Sequence, residues 1–105
     1  MTIYTQQIYN NAGGGSSGPG VIYTVPTSKL LILTDIDLLS IATASGQLSL
    51  IEIGAAVVRY WIAPGNAQDQ FVWRGRQVLN PGQTIVFDST CTAWYMGMTG
   101  YVLDL

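Results

Sequence analysis

This chain of 105 residues contains no histidine and a single cysteine, and only 10% of its residues are charged. The missing histidine removes the side chain used most often as a general base near neutral pH and as a metal ligand. A lone cysteine, Cys91, excludes an intrachain disulfide. With no imidazole beside it to draw off its proton, Cys91 is expected to be a small, semi-buried residue rather than a nucleophile. Positive charge is confined to Lys29, Arg59, Arg74 and Arg76, and the net charge is −2. Nucleic-acid binding relies on a basic stripe that displaces counterions from phosphates, so no nucleic-acid partner is expected. Long apolar runs are also absent. The longest, Leu30–Ile41, is broken by Thr34, Asp35, Asp37 and Ser40, and it falls short of the ~20 residues a membrane helix needs. No membrane partner is expected. The opening Met1–Gln7 lacks the basic-then-apolar order of a secretory signal, which predicts folding in the cytoplasm of the cell that makes the chain.

What the chain does have is apolar surface: 49% of its residues are hydrophobic. Soluble domains carry about 25% charged residues and use them to keep their surfaces wetted and unassociated. The deficit predicts that much of this surface meets other protein, as in an assembly or binding protein. An enzyme is not expected. The six carboxylates are Asp35, Asp37, Glu52, Asp69, Asp88 and Asp104. A retaining glycosidase would need two of them about 5 Å apart in a cleft, and one small sandwich seldom has room for such a cleft. No catalytic residue, cofactor or metal is assigned.

The residue pattern is β throughout. Val21–Val25 is β-branched and aromatic and ends at Pro26, and Pro26–Lys29 reads as a turn. Alternation along Leu30–Ile41 puts Leu30, Ile32, Ile36 and Leu38 on one face and Leu31, Leu33, Asp35, Asp37 and Leu39 on the other. The second face turns from apolar to acidic, as if the strand passed between environments. Further strands are expected at Gln47–Ile53, Val57–Ile62, from Phe71, at Thr84–Asp88 and at Ala93–Leu103, with a loop over 64–70. Asn80-Pro81-Gly82-Gln83 has the residues of a type II turn. In the last strand Trp94, Met96 and Met98 share one side, opposite Tyr95, Thr99 and Tyr101. About eight strands at this spacing predict an all-β, antiparallel, jelly-roll-like β-sandwich, an architecture that closes most sheet edges.

Residues 1–20 differ in composition. Ala12–Gly20 is glycine- and serine-rich and reads as a linker, separating the β-prone Ile3–Tyr9 from a sandwich domain over 21–105. Such an arm either folds back as an edge strand of its own sheet or adds a strand to a neighbouring subunit. The glycines lack the Lys-Ser/Thr ending of a phosphate-binding loop.

Four features invite chemistry. Asp35 and Asp37 project to the same side of a strand. They can bind calcium or share a proton, mark the solvent end of a strand, or pair with Arg59, Arg74 or Arg76. Trp61, Trp73 and Trp94, with Tyr60, Tyr95 and Tyr101, are expected mainly as packing anchors, with stacking on sugar rings as the alternative. Trp73-Arg74-Gly75-Arg76 places two guanidiniums beside an indole, a set suited to an acidic glycan or a partner carboxylate. The plainer reading is two solvent-facing arginines beside a core tryptophan. The interface candidates are Tyr4 and Ile8 on the arm, with Asp37, Trp73, Arg74 and Arg76.

Three segments in order suggest a family. Tyr23–Asp37 (YTVPTSKLLILTDID), Phe71–Gln83 (FVWRGRQVLNPGQ) and the closing Thr99–Leu103 (TGYVL) together resemble small β-sandwich virion proteins of tailed bacteriophages. The resemblance covers roughly residues 21–105 and leaves the glycine-rich segment outside it. It implies a virion component made in the host cytoplasm, either a capsid decoration protein or a small tail protein. The first would be a homo-oligomer, expected as a trimer, seated on the major capsid protein. The second would contact tail proteins or host-surface glycan. The resemblance supplies no catalytic residue.

Overall fold

The computed structural model describes residues 6–14, 17–43, 46–54, 57–62 and 67–105; the side chains of residues 6, 14, 17–19, 57–62 and 67 fall outside what it describes. Eight strands run through these residues: β1 (Gln6–Gly14), β2 (Ser17–Thr24), β3 (Lys29–Ala42), β4 (Leu48–Ile53), β5 (Val57–Ile62), β6 (Ala67–Leu79), β7 (Thr84–Ser89) and β8 (Ala93–Asp104). First pairs with last, second with seventh, third with sixth and fourth with fifth, every pair antiparallel. These ribbons join through β3 beside β8 and β4 beside β7. Two four-stranded sheets result, β1-β8-β3-β6 and β2-β7-β4-β5. This is the double Greek-key order of a jelly roll, and it agrees with the architecture predicted from alternation and turn spacing.

The turns form where the sequence puts them. Gln83 N–H donates to Asn80 O at 3.1 Å, and Gly82 takes φ 82°, the left-handed value a type II turn requires at its third position. Lys29 N–H likewise donates to Pro26 O at 3.2 Å, with Ser28 at φ 65°.

Strand β3 explains the mixed face read from its sequence. Its pairing with both β6 and β8 shifts between Leu33 and Asp35, so Thr34 is an inserted residue. The insertion flips the alternation. Leu31 and Leu33 point inward together with Ile36 and Leu38, and all four lie in the core. Asp35, Asp37 and Leu39 face outward instead of sharing a side with Leu31 and Leu33. The strand stays in one environment, and the apparent change along it is a one-residue bulge.

Between the sheets, those four residues pack with Ile51, Ile53, Ile85, Phe87, Trp94, Met96 and Met98. Burying each such side chain contributes about 1.5–3 kcal/mol. Phe87 of one sheet meets Trp94 of the other edge-on, with ring centroids 4.7 Å apart at 64°. Toward one end the interior turns polar. Ser49 Oγ lies 3.0 Å from Ser40 Oγ and 2.9 Å from Ser89 Oγ, linking the sheets through buried hydroxyls. Cys91 completes this cluster: its N–H donates to Ser89 Oγ at 3.2 Å, and its thiol lies 3.5 Å from Ser49 Oγ. Cys91 is fully buried.

The segment read as arm and linker contributes two strands. Residues 6–14 pair with β8 and residues 17–24 with β7. Gln6–Gly14 and Ser17–Thr24 therefore pair within their own chain, and the sandwich takes in residues before position 21. Packing accounts for part of the glycine content. A Cβ at Gly13 would lie 2.7 Å from Trp94 Cζ2, so the bare backbone makes room for the indole. Of the loop expected over 64–70, residues 64–66 lie outside the described residues, and Ala67–Gln70 are strand and pair with β3. Their polar composition masked strand residues whose backbones are held by a neighbour.

Candidate functional site

The outer face of the β1-β8-β3-β6 sheet carries a polar trough of about 670 Å³. Strand register builds it in three rows. The first aligns Gln7, Thr99, Asp35 and Arg74; the second aligns Asn10, Gly97, Asp37 and Val72; the third aligns Ala12, Tyr95, Leu39 and Gln70. Alternation in β8 forces this arrangement. Trp94, Met96 and Met98 must face the core, so Tyr95, Gly97 and Thr99 face out. Gly97 makes the depression: a Cβ built there would meet nothing within 4 Å.

One wall is fixed. Asp35 Oδ2 accepts from Thr99 Oγ1 at 2.7 Å and from Thr34 Oγ1 at 2.9 Å, while Arg74 Nε lies 2.9 Å from Asp35 Oδ1. The Thr99 hydrogen bond, then that of Thr34, holds the carboxyl below the ordinary carboxylate range; partial desolvation opposes them and the Arg74 charge assists. The bulge serves this wall directly, since the inserted Thr34 supplies one of its donors. The remaining groups face solvent. Gln70 Nε2 donates to Asp37 Oδ1 at 2.9 Å. The Tyr95 side chain stands 54% exposed at the margin. The trough thus offers amide and carboxylate groups, a hydroxyl and one open aromatic ring. Among the described residues no group of three or more His, Cys, Asp or Glu converges as metal ligands would.

The residues singled out from sequence are dispersed. Asp37 and Arg74 border the trough. Arg76 is exposed on β6 away from it. Trp73 is half-buried and packs against the core, so alternation separates it from its neighbouring arginines. Ile8 also packs against the core, at a register shift in β1. Tyr4 lies outside the described residues, as do the side chains of Arg59, Tyr60 and Trp61. Of the possibilities weighed for Asp35, pairing with Arg74 across β3 and β6 is the one formed. Sequence reasoning did not assign Gln7, Asn10, Gln70, Gly97 or Thr99 to a site. Only the outward position of Tyr95 and Thr99 on β8 was a usable signal.

No protein-family model matches the chain, and no curated protein matches it. Among solved structures, it is similar to a Bacillus endospore appendage protein, from a family described as disulfide-linked pili. The TM-score is 0.52 at 12% identity, covering 99% of this chain and 89% of that one. At that identity the likeness is one of fold.

Proposed function

We propose that this chain is a structural protein of a bacteriophage virion, a capsid decoration protein that stabilises the shell through subunit interfaces and has no enzymatic role. The observation carrying this reading is a chain poor in charge that leaves several large apolar side chains exposed among its described residues. Only 10% of residues are charged, while Val21, Val72, Val78 and Leu105 are all exposed. Such groups gain most when covered by protein. The order of the three motifs adds the virion class. The jelly roll is compatible with it, since that fold recurs in viral capsid and lectin domains, but a fold alone does not carry a function.

In this reading the partners are further copies of the chain, as a trimer, and the major capsid protein. A closed ring of copies would cover the exposed valines around a shared axis. Residues ahead of Gln6, with Tyr4, would add a further tie by multivalency. The pilus family is described as disulfide-linked. Here Cys91 is buried and already engaged by Ser49 and Ser89, so in this reading Cys91 makes no disulfide between subunits.

The test is to image particles carrying this chain against particles from which it has been deleted. Density on the capsid lattice, lost on deletion together with resistance of the shell to heat, is the expected result. Density confined to the tail or its tip would replace this reading with a tail protein that contacts the host surface.

A further inference from the structure

We propose that the trough on the outer face of the β1-β8-β3-β6 sheet binds a neutral saccharide. This goes beyond the structural role and holds for a subunit on head or tail.

Size comes first. A volume of about 670 Å³ is far too roomy for a lone ion. It falls within the range of roughly 300–1,000 Å³ typical of small-molecule sites. Lining chemistry comes next. Asn10 and Gln70 each bring an amide that can donate and accept at once, and Asp37 brings a carboxylate whose second oxygen adds acceptor capacity. Adjacent hydroxyls on a sugar ring both donate and accept, and paired planar groups of this kind match them. Tyr95 supplies the remaining element, an exposed ring at the margin on which the C–H face of a pyranose can lie.

Charge narrows the ligand. The trough holds Asp35, Asp37 and Arg74, so its net charge is a single negative. Arg74 is already committed to Asp35. An acidic glycan or a phosphate would meet two carboxylates and no uncommitted cation in the trough, which is the reverse of what the Trp73–Arg76 cluster suggested in the sequence. Pre-organisation favours binding as well. The Thr34, Thr99 and Arg74 bonds to Asp35 fix one wall before any ligand arrives. Gly97 leaves the floor open at the centre of the rows, where any other residue would project a side chain into the space.

The test uses the full chain on an array of neutral and acidic oligosaccharides and bacterial surface polysaccharides, followed by titration of any neutral hit in solution. Binding of at least one neutral saccharide is expected, unchanged between low and high salt. Gly97→Leu, which fills the floor, and Tyr95→Ala, which removes the ring, should each weaken it at least tenfold. Tyr95→Phe and Arg76→Ala should retain it. Thermal unfolding of each variant, unchanged from the parent, separates loss of site from loss of fold. A blank array, binding restricted to acidic saccharides, or binding that survives both Gly97→Leu and Tyr95→Ala would overturn the proposal. Attraction of basic peptides that fades with salt would assign the trough to a cationic protein partner instead. Each of these results leaves the position of the chain on the particle to be decided separately.

Discussion

The two faces of the β1-β8-β3-β6 sheet treat a missing side chain in opposite ways. On strand β8, Gly100 is buried where β8 passes the bulge of β3, and a Cβ there would lie 2.4 Å from the Ile32 carbonyl oxygen. That neighbour is backbone and cannot step aside. Gly97, on the outward face of the same strand, would carry a Cβ into open space. One glycine is there because nothing else fits; at the other, nothing in the fold demands it. A position that packing leaves free to hold a side chain, yet which holds none at the centre of a polar depression, is a place where the outer face has room for something outside the chain.

The sharpest break of this contrast is a pair of valines. Gly100→Val should cost about 3 kcal/mol or more, since the clash is with backbone. Gly97→Val should stay within about 0.5 kcal/mol of the parent. Urea unfolding of both measures this, and equal losses would erase the difference between the faces. Next in size is a pair on β3. Leu38→Ala, in the core, should lose about 2–5 kcal/mol. Leu39→Ala, bordering the trough, should lose under about 1 kcal/mol by the same unfolding assay.

A polar substitution tests whether the interior tolerates a broken hydrogen-bond chain. Ser49→Ala removes the hydroxyl joining Ser40 and Ser89. It leaves buried oxygens short of a partner, at about 1–3 kcal/mol. The smallest effect belongs to the outer wall. Asp35 is held below its ordinary range in the folded chain, so its contribution is present at neutral pH and is lost as pH falls from its unfolded value toward the folded one. The side chains of Asp35 and Arg74 remain 34% and 61% exposed. Solvent screening therefore keeps the ion pair's share at about 1 kcal/mol or less. Unfolding midpoints compared at pH 7 and below pH 4 should fall less on acidification in Asp35→Asn than in the parent.

The inner face was far more readable from sequence than the outer one, because the two obey different constraints. Trp94, Met96 and Met98 announce their side of β8 by period alone, and Pro81-Gly82 announces its turn by the φ it must adopt. The jelly-roll class followed from such local rules. The bulge at Thr34 did not. Strict alternation groups Asp35 with Leu31 and Leu33, and one inserted residue reverses it. The only trace was a face that changed from apolar to acidic, which reads as a passage between environments rather than as an inserted residue. The glycine-rich segment misled in the other direction, since composition suggests a tether while pairing with β7 and β8 and the room given to Trp94 make it strand. The trough was least legible of all. Asn10, Asp37, Gln70 and Gly97 come from four strands scattered through the chain, and only the pairing of the first strand with the last, the last with the third and the third with the sixth brings them into neighbouring rows.

The most direct test of the central claim, that this sandwich is an assembly unit whose apolar exterior is meant to be covered, is its mass in solution. Sedimentation equilibrium of the purified chain at micromolar concentration should report a closed oligomer, with a trimer as the expected species. A stable monomer across that range, soluble with its valines exposed, would contradict the claim.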